Sequence, residues 1–211
     1  MVLRMFLMTS WIATLWGADG FPEPKTDIPA SGVQKVVLAG GCFWCTEAVF
    51  EHVAGVTKVI SGYAGGEAND ANYKAVSSGQ TNHAEVIEVT FDSHKITFGQ
   101  VLKIFFAVAH DPTQVNRQGP DWGRQYRSAI FYANDDQKRV AQAYIAQLNE
   151  AKVFAKPIAT ELAPLKAFYP AEAYHQDFVK NNPSHPYVVV NALPKVEKLK
   201  KTFPAQVRKP S

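Results

Sequence analysis

The sequence predicts a single α+β domain, and three observations carry that prediction. Strand-like and helix-like runs are interspersed, but without the even strand–helix–strand rhythm of a doubly wound parallel sheet. The length, 211 residues, suits one well-filled core or at most two small ones. No internal repeat or low-complexity tract divides the chain into an array.

Taken in order, Gln34–Leu38 reads as the first strand and Cys45–His52 as the first helix, with Gly55 ending it. Val56–Tyr63 reads as a strand, and Gly62, Gly65 and Gly66 break the chain after it. Ala84–Phe91 is strongly β-prone, because Val86, Val89 and Phe91 are branched or aromatic. Thr97–His110 has the clearest helical periodicity: Val101, Leu102, Phe105, Phe106 and Ala109 form one apolar stripe. Ser128–Tyr132 and Pro157–Leu162 are further strands. Between them Asp135–Ala151 is a helix with Val140, Tyr144, Ile145 and Leu148 on one face. Shorter helices are expected at Ala171–Asn181 and Val196–Phe203. Two polar loops, Glu67–Gln80 and Asp111–Arg127, are long enough to suggest a task.

Composition narrows the function. Hydrophobic residues make up 46% and charged residues 19%, as in an ordinary globular protein. A net charge of +3 with scattered basic residues gives nucleic-acid binding little support. The basic cluster Lys195–Lys201 alternates with Val196 and Leu199 and reads as the solvated face of a terminal helix. The N-terminus differs from the rest: Arg4, an apolar run from Met5 to Trp16, then Gly17-Ala18-Asp19. That is too short for a stable span and has the layout of a secretory signal peptide, although Trp16 is a poor residue before the cleavage site. Export is expected, with an unprocessed cytoplasmic chain as the alternative, and no membrane span is expected in the mature chain.

Both cysteines lie in Gly40-Gly41-Cys42-Phe43-Trp44-Cys45, between a strand and a helix. At a helix start, unpaired N–H groups and the macrodipole favour a thiolate, so the Cys42 thiol is expected to have a lowered pKa. A cysteine three residues on can capture an oxidised sulfur. Half of a zinc site is one rival reading. It lacks partners, since no other cysteine exists and histidines 52, 83, 94, 110, 175 and 185 contain no pair at three-to-five spacing. A structural disulfide would constrain only a tiny loop, where the entropic benefit is smallest. A thioredoxin-like dithiol would explain the cysteines but not Phe43 and Trp44, two large aromatics that suggest a pocket for a small apolar group.

At this point the residues resemble the peptide methionine sulfoxide reductase A family. The similarity runs from Gly41-Cys42-Phe43-Trp44 through Gly62-Tyr63-Ala64-Gly65-Gly66, Tyr73–Gly79 and His83-Ala84-Glu85-Val86. It continues through His110-Asp111-Pro112, Arg117–Asp121, Gln125–Ile130 and Tyr174–Phe178 with Asn182-Pro183, so it covers roughly 33–187. The resemblance implies a two-layer, ferredoxin-like core: a mixed β-sheet with flanking helices. It implies a catalytic domain at 33–190; the signal peptide read above then takes 1–18, a linker 19–32, and a C-terminal helix and tail 191–211.

It further implies reduction of methionine-S-sulfoxide, free or in oxidised proteins, by a monomer without cofactor or metal. Cys42 would be the nucleophile and Glu85 the acid, kept neutral by burial. Tyr73, Tyr126 and Asp121 would hold the sulfoxide oxygen, and Phe43 and Trp44 the methyl group. Tyr174, His175 and Tyr187 are left open as lining residues. The chain departs from many members in having no cysteine after Asn182-Pro183, which leaves Cys45 to resolve the sulfenic acid. A thioredoxin-like reductant is implied. The rival function is a general thiol–disulfide oxidoreductase, and a zinc-stabilised binding module is a third reading.

Overall fold

A computed structural model describes residues 20–209, so the expected signal segment lies outside the described residues. The chain runs through β1 (Val33–Gly40), α1 (Phe43–Glu51) and β2 (Val56–Ala64), then a short helix α2 (Tyr73–Ser77) and β3 (Ala84–Asp92). Next come α3 (Phe98–Ile104), a π-helical turn at Phe105–Ala109, and a small hairpin of β4 (Arg117–Gln118) and β5 (Asp121–Trp122). β6 (Ser128–Tyr132), α4 (Asp135–Glu150), β7 (Glu161–Pro164) and β8 (Phe168–Pro170) follow. The chain closes with α5 (Phe178–Asn181) and α6 (Leu193–Thr202).

Six strands form one sheet in the order β7-β6-β1-β3-β2-β8. β3 lies between β1 and β2 and is antiparallel to both, so β1-α1-β2 is a split βαβ unit. With β6 antiparallel on the other side of β1, the central four strands have the ferredoxin-like order. β7 joins β6 in parallel, which makes the sheet mixed.

Strand alternation decides what each face buries. Ile87, Val89 and Phe91 of β3 join Val36, Leu38 and Ile130 in the main core, together with Val49 and Phe50 of α1 and Val101 and Leu102 of α3. The neighbouring positions Ala84 and Val86 form a smaller cluster with Val37, Ala39 and Phe131, covered by Leu165 and Phe168. Because residues two apart share a face, Glu85 belongs to the helix-covered side with Ile87. β3 is therefore buried on both faces over its first four residues.

Three expectations need correction. Ala171–Asn181 is not one helix: Ala173–His175 forms a 3₁₀ turn, Asp177 takes a left-handed conformation (φ 53°), and only Phe178–Asn181 is α-helical. The Gln176 side chain accepts from the Ser61 N–H at 3.0 Å and donates to the Ser61 and Ala171 carbonyls, tying this segment to β2. Those tertiary bonds replace helical ones. The strand expected at Pro157–Leu162 begins only at Glu161, because Ala159 donates instead to the Pro112 carbonyl at 2.8 Å. The third helix widens into the π turn at Phe105, and His110 Nδ1 lies 3.1 Å from the Phe105 carbonyl.

From Gly20 onward, the segment ahead of β1 packs against the domain. The Tyr144 hydroxyl donates to the Pro22 carbonyl at 2.7 Å, Lys103 pairs with Glu23 at 2.6 Å, and Asp27 accepts from the Gly99 N–H at 2.9 Å. Among the described residues no helix is long and apolar enough to cross a membrane.

Gly62 makes one close approach possible. A Cβ there would lie 2.5 Å from both the Phe168 ring and the Tyr169 carbonyl oxygen, and the latter cannot rotate away. Gly62→Ala is expected to destabilise the protein by about 1–3 kcal/mol through overpacking and to loosen β8 from β2. Urea unfolding monitored by circular dichroism tests this; a midpoint equal to that of the parent protein would show that the edge yields freely.

Candidate active site

The turn from β1 into α1 places the site's sulfur. Gly41 has φ +86°, and a Cβ on it would meet Gln118 Cβ at 2.5 Å, so this corner accepts little besides glycine. Cys42 occupies the N-cap position of α1. Its carbonyl accepts from the Cys45 N–H at 3.1 Å, while its side chain caps nothing. Both thiols are buried and unbridged. Cys45 Sγ lies 4.0 Å from the Tyr187 hydroxyl.

Glu85 sits directly beneath this helix start. It is 2% exposed, and its Oε2 accepts the Phe43 N–H at 3.0 Å. Burial pushes its carboxyl up to about 8, against the opposing Phe43 hydrogen bond, with the Asp121 charge and Cys45 adding to the rise. Near neutral pH Glu85 is therefore an acid with a proton to give.

The expected lowering of the Cys42 thiol does not occur. Burial first, then the Cys45 thiol and the Glu85 charge, hold Cys42 well above the ordinary thiol range. The helix is only nine residues long and its first N–H is already committed to Glu85, so desolvation outweighs the dipole. Cys42 and Glu85 thus both rest neutral, and a charge on Glu85 would further discourage ionisation of Cys42.

Around them stand the phenols. Tyr73 and Tyr126 are both pushed upward by burial and by the charges of Glu85, Asp121 and Cys42. Their hydroxyls stay neutral, and both residues lie close enough to Glu85 and Cys42 to feel those charges. Burial raises Asp121 as well, and its Oδ2 accepts from the Tyr187 hydroxyl at 2.5 Å. Tyr187, left open in the sequence reading, lines the site between the cysteines and Asp121.

The two aromatics after Cys42 diverge. Phe43 is enclosed, with its ring 5.9 Å from Tyr63 and 5.0 Å from His175, and it backs the site from within the core. Trp44 forms a wall. Its indole stacks on Phe178 at 3.7 Å, meets Tyr187 edge-on at 5.9 Å, and donates from Nε1 to His175 Nδ1 at 3.1 Å. His175 therefore belongs to the site as the support of Trp44, whereas Tyr174 is 61% exposed and lies against the outer side of that histidine. Glu172, which the sequence did not single out, accepts from the Tyr73 N–H at 2.8 Å and the Tyr63 hydroxyl at 2.9 Å.

If Trp44 is the wall for a methyl group, Trp44→Ala should slow turnover of a methyl sulfoxide at least tenfold, from burial of roughly one methyl's worth of apolar contact or more. Alkylation of Cys42 by a small reagent should change far less. Equal losses in both reactions would mean that Trp44 only supports the loop.

A small cavity of about 60 Å³ opens beside the sulfurs, lined by Cys42, Cys45, Gln118, Asp121, Tyr187 and Lys195 among others. Gln118 and Lys195 were not legible as site residues in the sequence. The first is placed by its paired bonds to the Asp111 backbone at 3.1 and 3.0 Å, the second by the docking of α6 on α1. A larger cleft of about 720 Å³, at the far end of α1 by Glu51, Lys180 and Arg208, contains no cysteine and is separate from this chemistry.

The family model described as "Peptide methionine sulfoxide reductase" matches residues 34–207. "Peptide methionine sulfoxide reductase MsrA 2" of Mesorhizobium japonicum is 55% identical over 176 residues, covering 83% of this chain and 90% of the relative. Among solved structures, reduced Mxr1 from Saccharomyces cerevisiae is similar at a TM-score of 0.67 and 36% identity, over 76% of this chain and 91% of that one. Methionine sulfoxide reductase A of Corynebacterium diphtheriae gives a TM-score of 0.63 at 32% identity, over 80% and 81%. With a thiol, a neutral carboxyl and two phenols already gathered at the head of α1, the chain belongs to the peptide methionine sulfoxide reductase family, and its reaction is the reduction of methionine sulfoxide.

Proposed function

We propose that Cys42 attacks the sulfur of methionine-S-sulfoxide, free or within oxidised proteins, and that Cys45 resolves the product. The observation that carries this reading is the buried Glu85 carboxyl held on the Phe43 N–H next to Cys42, with Tyr73 and Tyr126 close enough to feel both groups. The phenols hold the sulfoxide oxygen, and Glu85 gives it a proton as the Cys42 sulfur bonds to the substrate sulfur. The thiol proton of Cys42 passes to Glu85, restoring the acid. The oxygen ends on Cys42 as a sulfenic acid, methionine leaves, and no net proton is consumed. Binding of the polar sulfoxide offsets the cost that keeps Cys42 neutral in the free enzyme.

Cys45 then displaces the oxygen as water, giving a Cys42–Cys45 disulfide that a thioredoxin-like dithiol reduces. Because residues 1–18 have the layout of a signal peptide, we place the enzyme outside the cytoplasm, where a thioredoxin-like partner of that compartment would supply electrons. The test is one equivalent of enzyme, without reductant, on separated sulfoxide epimers. One methionine per chain from the S epimer, none from the R epimer, and a Cys42–Cys45 disulfide by mass spectrometry are expected. Equal yields from both epimers would refute the stereochemical assignment. The N-terminal residue of the native protein checks export: a start near Asp19 supports it, an intact Met1 ends it.

A further inference from the structure

Closing the disulfide requires Cys45 as a thiolate, since the thiolate and not the thiol is the nucleophile. Cys45 is 2% exposed, and burial by itself holds a thiol neutral. The titratable groups that act on it come from four directions. Cys42 shares its helix, Glu85 rises from β3, Asp121 comes from the small hairpin, and Tyr187 and Lys195 approach from the α6 side. Glu85 and Asp121 can only oppose ionisation. Among the described residues lining the cavity beside the two sulfurs, Lys195 is the one cation. It stands on the first turn of α6, where a positive charge is set against the helix dipole, so α6 itself gains nothing from it.

We propose that Lys195 is the counter-charge for the Cys45 thiolate and thereby sets the rate of disulfide closure, a role that rests on Cys45 being the resolving residue. The resting electrostatics agree in direction. Cys45 lies below the ordinary thiol range, first because the Cys42 thiol donates to it, against burial, and then because of Lys195 and the Tyr187 hydroxyl. In the reacting geometry the first of these is gone. Cys45 must approach the Cys42 sulfur opposite the departing oxygen, which points the sulfenic hydroxyl away. Lys195 and Tyr187 are then what holds the negative charge. The Cys45–Cys42 sulfur bond forms as the Cys42 sulfur–oxygen bond breaks. Cys45 is oxidised, the sulfenic sulfur is reduced, and the oxygen leaves as water with the proton that Cys45 gave up.

The charge has a signature that mere packing lacks. If its removal raises the Cys45 pKa enough to cut the thiolate fraction near neutrality about tenfold, that loss is partly offset. The more basic thiolate is intrinsically about threefold more nucleophilic. Lys195→Met should therefore close the disulfide about threefold more slowly near neutral pH and about threefold faster above the thiol pKa, so that its pH profile crosses that of the parent. Lys195→Arg keeps the charge and should keep the parent profile.

The experiment is a single turnover without reductant across a pH series. Sulfenic acid is trapped with a dimedone-type reagent, and methionine release serves as the internal reference. Crossing profiles for closure, without a crossing for methionine release, support the role. Profiles that superimpose, or a Lys195→Met profile that is slower at every pH, overturn it and leave Lys195 as packing or surface. A parent enzyme that releases methionine but forms no Cys42–Cys45 disulfide overturns instead the assignment of Cys45 itself, on which the proposal rests.

Discussion

An enzyme carrying Cys45→Ser is expected to release one methionine per chain and then stop. The attack on the sulfoxide needs only Cys42 and the acid beside it, so the first turnover survives. A serine hydroxyl cannot close a disulfide, and the described residues contain no third cysteine to substitute. Sulfenic acid should accumulate on Cys42, open to further oxidation. Cys42→Ser should release no methionine at all. The Cα atoms of residues i and i+3 on a helical turn lie roughly 5 Å apart, inside the Cα range that a disulfide spans, so closure in the parent requires little backbone movement. The turnover number with thioredoxin in excess decides the matter. Sustained cycling of Cys45→Ser at the parent rate would mean that the reductant attacks Cys42 directly.

The second large effect is expected at Glu85. Glu85→Gln keeps a side chain that can accept the Phe43 N–H but removes the proton, and general acid catalysis is typically worth about 10²–10⁴-fold. Cys42 oxidation should slow by an amount in that range, measured by rapid mixing with a methyl sulfoxide. A loss of only about threefold, a small part of that effect, would remove Glu85 from the mechanism. In the parent enzyme the acid form prevails below the Glu85 pKa of about 8, so the rate should fall as pH rises through that value. Stability should move the same way. The folded protein holds this proton more tightly than the unfolded chain does, so the contribution is present at low pH and is lost as pH rises from the ordinary carboxyl range through about 8. Glutamine does not ionise. Thermal unfolding of Glu85→Gln should therefore lose less stability between mildly acidic and mildly alkaline pH than the parent does.

Much of this was written locally. The α+β class, the Cys42–Cys45 pair at a helix start and the burial of one face of β3 follow from alternation, periodicity and glycine punctuation within windows of about ten residues. Those signals are short-range, so a linear reading finds them. Ser128–Tyr132 and Asp135–Glu150 emerged nearly as read, because strand alternation and an amphipathic stripe with an Asn134 cap leave few competing conformations.

The broken helix after Ala171 was not readable, because bonds from Gln176 to Ser61, 115 residues away, outweigh local helix formation there. The electrostatics were readable only in part: Glu85 was expected neutral, but Cys42 was expected low and lies high. A dipole can be inferred from position on a helix, whereas desolvation is a sum over every segment packed nearby. His175 reaches Trp44 from 131 residues away, and Tyr187 reaches Asp121 from 66. In the sequence Lys195 is one lysine of a solvated run; only the docking of α6 against α1 turns it toward a buried sulfur. The chain alone determined most of the elements before Ala151 and where the reactive sulfur sits, since those follow from backbone sterics and local periodicity. Protonation states and pocket walls depend on distant groups brought into a low-dielectric interior, and only the tertiary structure decided them.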